Sequence, residues 1–186
     1  LLLVMLSSVG EAACPDGLPA ADVKGILESH NRLRNNISKG TYIAKGKKMP
    51  AAKKTIPALK WDCALEKSAQ NVSKQCIYEH STNRHDIGEN LWRNTGSSPF
   101  KNIAGFGRMA SNSWKNEFQE YGWPSTVFTY EIAVTGELFH ATQMAWAETK
   151  TIGCGITLCK GATQVIVVCH YNKTGNWLGA PIYVPK

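Results

Sequence analysis

Six cysteines constrain this chain more than any other feature: Cys14, Cys63, Cys76, Cys154, Cys159 and Cys169. They follow a short apolar run, Leu1 to Leu6, and a small-residue stretch in which Gly10-Glu11-Ala12 has the small-x-small form of a secretory cleavage site. A leader of that kind delivers a chain to an oxidising compartment, where cysteines persist as disulfides. Residues 1–12 therefore read as a signal peptide remnant and 13–186 as one mature domain, secreted and extracellular. No C-x-x-C occurs, and Cys154 and Cys159 are spaced too widely for a zinc knuckle. Six cysteines admit many complete pairings, and spacing alone does not choose among them. Secretion also makes three sequons usable, at Asn36, Asn71 and Asn172.

The chain has 186 residues, enough for one domain with a real core, and 43% of them are hydrophobic. That fraction excludes a disordered chain, and no stretch approaches the ~20 apolar residues of a membrane span. Apolar residues at helical spacing predict helices over 22–35, with Asp22 as N-cap, and over 59–77, 100–118 and 138–146. Strands are expected over 87–92, 152–157 and 164–171, the last two joined by a hairpin turn at Lys160-Gly161-Ala162. Helices early and strands late imply an α+β fold with helices on an antiparallel sheet. Between Glu28 and Asp62 there is no acidic residue, while Arg32, Arg34, Lys39, Lys45, Lys47, Lys48, Lys53, Lys54 and Lys60 are basic. Such a stretch suits an acidic polysaccharide or anionic lipid. Secretion leaves nucleic acid aside as a partner.

The chain carries no G-x-S-x-G, H-E-x-x-H or G-x-x-x-x-G-K-[ST] motif. Chemistry is more plausibly carried by His80, Glu89, Glu117 and His140, which lie near apolar, Gly-marked segments. Two imidazoles and two carboxylates meeting in a cleft can bind a divalent metal or act as acid and base. Their neighbourhoods are specific. His140-Ala141-Thr142-Gln143-Met144-Ala145-Trp146, Ile152-Gly153-Cys154-Gly155 and Val168-Cys169-His170-Tyr171 with Gly175-Asn176 resemble the signature blocks of the CAP (SCP/TAPS) superfamily. Upstream, His30-Asn31-Arg32-Leu33-Arg34, Met49-Pro50, Leu59-Lys60-Trp61-Asp62, His80-Ser81 and Gly88-Glu89-Asn90-Leu91 match in order. The resemblance spans about 22–183, and Trp61-Asp62-Cys63 with the lysine-rich loop is most similar to the single-domain activation-associated secreted, or venom allergen-like, proteins of nematodes.

The resemblance implies a three-layer α/β/α sandwich with a mainly antiparallel sheet and a central cavity. It implies that His80, Glu89, Glu117 and His140 line that cavity, with His80 and His140 as ligands to zinc or another divalent cation. It also implies the pairs Cys76–Cys159 and Cys154–Cys169, which leaves Cys14–Cys63. Tyr121, Trp123 and Phe128 fit an aromatic spacing associated with sterol binding in some members. The functional expectation is a secreted, non-enzymatic effector or antigen that modulates host immunity through host proteins or cell surfaces, with sterol or lipid as a further ligand. The alternatives are a metal-dependent hydrolase using the tetrad of His80, Glu89, Glu117 and His140, and a glycosaminoglycan-binding module using the lysine-rich loop.

Overall fold

The computed structural model of the chain describes residues 13–82 and 84–186; the leader-like residues 1–12 lie outside them. Helix α1 (Ala20–Ser38) buries Val23, Ile26, Leu27, His30, Leu33, Arg34 and Ile37 along one face. It begins before the expected N-cap, because Pro19, with φ fixed by its ring, precedes the first turn. Asp22 lies inside that turn, and its Oδ1 accepts instead from the Gly105 N–H at 2.8 Å.

The lysine-rich loop conceals a small hairpin of β1 (Ile43–Ala44) and β2 (Lys47–Lys48). Its two turn residues, Lys45 and Gly46, both have positive φ, as a two-residue hairpin turn requires. Helix α2 is Cys63–Ser73, shorter than the expected 59–77. Residues Lys60–Trp61 form β3, which pairs with a later strand, and Asp62 caps the helix by accepting from the Ala64 and Leu65 N–H groups. After Ser73 the chain turns through Cys76, which has φ of 57°.

Strand β4 (Ile87–Thr95) leads to α3 (Phe106–Glu120), which starts after Gly105 in a left-handed conformation rather than at residue 100. A short helix that the sequence reading missed, α4 (Tyr130–Thr135), precedes α5 (Phe139–Ala145). Strands β5 (Thr151–Cys159) and β6 (Gln164–Asn172) close the fold around the expected turn.

The main sheet has the order β3-β5-β6-β4. Its long pairs, β4 with β6 and β5 with β6, are antiparallel; only the short β3–β5 pair is parallel. Helix α2 covers one face, and α1, α3 and α5 pack together on the other. With both faces covered, β6 is apolar almost throughout. Val165, Val167, Cys169 and Tyr171 join the larger core, while Ile166 and Val168 meet Ala69, Leu91 and Cys159 under α2. Disulfides Cys14–Cys63, Cys76–Cys159 and Cys154–Cys169 staple the layers in the pairing the resemblance implies. Such links typically stabilise by about 2–4 kcal/mol each.

Helix α2 rests directly on the backbone of β5. A Cβ at Gly155 would collide with the Gln70 backbone, and one at Gly153 with the backbone of Asp62 and Glu66. No rotamer relieves a clash with backbone. Gly155→Ala should therefore lower stability by about 1–3 kcal/mol, read as a shift in urea midpoint. An unchanged midpoint would mean that α2 does not depend on this close approach.

Candidate functional site

The four expected cavity residues come from different parts of the fold. His80 lies on the segment after α2, Glu89 on β4, Glu117 in the last turn of α3, and His140 at the start of α5. The structure brings them together as two pairs. His80 Nδ1 lies 2.8 Å from Glu89 Oε1, and His140 Nδ1 lies 2.5 Å from Glu117 Oε1. Each carboxylate is held in turn. Glu89 accepts from the Ser81 N–H at 3.0 Å and the Ser81 hydroxyl at 2.7 Å, and Glu117 Oε2 accepts from the Ala141 N–H at 2.9 Å. The His140 ring stacks on Trp114, whose own N–H donates to the Leu91 carbonyl.

A carboxylate at Nδ1 selects the neutral tautomer that keeps its proton there and presents a lone pair at Nε2. No described residue hydrogen-bonds to Nε2 of either His80 or His140. Both rings border a cavity of about 340 Å³, shared with Arg84, Asn90, Gln143 and Asn176. This is the arrangement by which carboxylates orient metal-binding histidines.

A third imidazole, not anticipated as a site residue, completes the Glu89 cluster. His170 stands opposite Glu89 in the β4–β6 register. Its Nε2 lies 2.8 Å from Glu89 Oε2, and its Nδ1 lies 3.1 Å from the Ser68 hydroxyl on α2. The available signal was a lone polar residue at the end of an apolar strand. Burial opposes ionisation of Glu89, but hydrogen bonds from His170, His80 and Ser81 outweigh it and hold the carboxyl well below the usual range.

A profile of the CAP domain, described as the cysteine-rich secretory protein family, matches residues 27–171. The chain belongs to the CAP family. It is 34% identical over 163 residues to the Ancylostoma secreted protein of Ancylostoma caninum, covering 84% of this chain but only 37% of that relative's length. It is 32% identical to venom allergen 3 of Solenopsis invicta, covering 91% of this chain and 75% of the relative. Among solved structures, BmVAL-1 superposes with a TM-score of 0.88 at 36% identity, covering 94% of this chain and 88% of that one. NaASP2 with Zn²⁺ gives 0.84 at 31% identity, covering 94% and 91%.

Other features of this CAP domain take different places. Of the aromatic triplet, only Tyr121 is exposed. Trp123 is buried, stacked on Phe118 at 3.9 Å, and Phe128 is buried against Phe139 and Trp146. The triplet therefore does not form one contact surface: two of its rings are core. Arg34 also leaves the basic stretch, being fully buried, whereas the other eight basic side chains there are exposed. Cys14, Cys63 and Glu66 lie close enough to suggest a metal cluster. The two sulfurs are joined in a disulfide, and Glu66 accepts from the Trp61 indole and the Leu18 N–H, so no thiolate is present to ligate. The sequon residues Asn71 and Asn172 are exposed, and Asn36 is half-buried in α1.

Proposed function

We propose that this CAP domain is a secreted, non-enzymatic effector that holds a divalent cation between His80 and His140 and acts on host proteins or cell surfaces. Zinc best matches two neutral imidazoles. The carrying observation is the commitment of both carboxylates. Every oxygen of Glu89 and Glu117 already accepts from a histidine, Ser81 or the Ala141 N–H. Each carboxylate is thereby tied to orienting an imidazole rather than placed as the general base that the hydrolase alternative needs, while both Nε2 atoms remain for a metal. All six cysteines are in disulfides, so no thiol is available as a nucleophile. The similarity to NaASP2 with Zn²⁺ supports the metal, and the disulfides and the secreted and venom relatives support secretion.

A cation bound only by the folded state raises stability by about 2.7 kcal/mol at a hundredfold excess over its Kd. Zinc should accordingly raise the thermal midpoint of the mature domain by several degrees, and the double variant His80→Ala/His140→Ala should lose that rise. Equal midpoints with and without zinc in the unmodified domain would remove the metal from this reading.

A further inference from the structure

The cavity that brings the two imidazoles together also contains a cation supplied by the chain. Arg84 lines it beside His80 and His140. Its Nε donates to the Ser81 carbonyl at 2.8 Å and lies 3.6 Å from Glu89 Oε1. No described residue accepts from either Nη atom. A guanidinium keeps its charge at any physiological pH and offers a planar edge of donors suited to a carboxylate or phosphate.

Most of the other amide groups of the cavity are already engaged. Asn90 Nδ2 donates to the His140 carbonyl and the Tyr171 hydroxyl. Gln143 bridges Thr149 and the Gly175 N–H, and Asn176 bridges Thr142 and the Phe139 carbonyl. Both carboxylates are occupied as described above. Two imidazoles fill only two of the four positions zinc takes, and the cavity lining adds no further imidazole or thiolate and no carboxylate but Glu89. With a divalent cation and Arg84 together, the two carboxylates leave the cavity net positive. Glu89 offsets part of that charge from beside Arg84 and His80, and an anion in the cavity would offset the rest.

We infer that the cavity binds a small oxyanion, a carboxylate or a phosphate, with one oxygen on the metal and another on the Nη edge of Arg84. The inference rests on the metal reading of the preceding subsection. A cavity of about 340 Å³ has room for such an anion and a metal ion together.

The test is calorimetric. Zinc is titrated into the mature domain in a non-coordinating buffer; acetate and methyl phosphate are then titrated separately into the zinc-loaded and zinc-free protein. At least one anion should bind saturably to the zinc-loaded domain and not to the zinc-free domain, and the stronger of the two identifies the oxyanion class. Arg84→Gln should take up zinc within about twofold of the unmodified domain yet lose anion affinity by about tenfold or more. Arg84→Lys should recover part of that loss, because charge is restored without the planar edge. Zinc uptake without saturable anion binding would overturn the inference alone. So would undiminished anion binding in Arg84→Gln or equal binding to the zinc-free domain. Failure of the unmodified domain to bind zinc would overturn the metal reading as well.

Discussion

Arg34→Ala is expected to remove about 4 kcal/mol or more of stability, a large fraction of what a domain of this size possesses. Arg34 is fully buried on α1. Its Nε donates to the Pro57 carbonyl at 2.7 Å, Nη1 to Met144 at 3.0 Å and Trp146 at 2.8 Å, and Nη2 to Thr149 at 2.8 Å. These acceptors lie on the segment before β3, at the end of α5 and on its connection to β5, so one side chain on α1 ties these parts of the fold together. Burial pushes the guanidinium down to about 9, which still leaves it protonated at neutral pH. Alanine would leave four carbonyls without this donor, at about 1–3 kcal/mol for each that stays dry, along with the space of the missing side chain. Arg34→Lys keeps the charge, but an ammonium cannot span the same acceptors and should fall between. Urea denaturation decides the matter: a midpoint for Arg34→Ala within about 1 kcal/mol of the unmodified domain would show that the carbonyls find other partners.

The domain should also lose about 3 kcal/mol between pH 7 and pH 4 through His30 alone. This residue is fully buried on α1. One ring nitrogen lies 2.9 Å from the Ile26 carbonyl and the other 3.0 Å from the Tyr171 hydroxyl, with Trp114 at the ring edge. Burial pushes its pKa down to about 4; the hydrogen bond to Ile26 opposes the shift, and Arg34 and Lys115 add to it. The unfolded chain therefore takes up a proton near pH 6.5 that the folded chain refuses until about 4. Stability is complete above 6.5 and declines as pH falls through that window. Glu89 extends the decline below pH 4.5, because its carboxyl is held ionised only in the fold. The diagnostic quantity is the difference between the unmodified domain and His30→Gln. The variant should be less stable at pH 7 but show a shallower loss between pH 6.5 and 4. Identical slopes would place the effect elsewhere.

The long elements were legible because their signals are local. The continuous β-branched apolar run Val165–Val168 and the apolar spacing of α1 mark a strand and a helix without reference to the rest of the chain. The errors fall where a distant partner decides. Lys60 and Trp61 continue a helical pattern, yet they pair with Thr151 and Ile152, nearly a hundred residues away. The β1–β2 hairpin was hidden because its strands are two residues long and rich in lysine. Helix α4 is a single capped turn and a half containing Ile132, Val134 and Thr135, residues of modest helix propensity. His80, Glu89, Glu117 and His140 were named through family resemblance alone, and which carboxylate meets which imidazole was not legible, since spacing cannot bring α3 and α5 together. His170 stood in a signature block but was not assigned to the site, because it faces Glu89 across the sheet through strand register. The burial of Trp123 and Phe128 was equally invisible, because an aromatic-rich Gly/Pro segment can face either solvent or core.

The Cys14–Cys63 link and the Leu18–Glu66 hydrogen bond pin the segment before α1 onto α2. That segment borders a separate hollow, which shares no residue with the one containing His80 and His140. A tag or immobilising linker placed ahead of Cys14 would emerge beside α2.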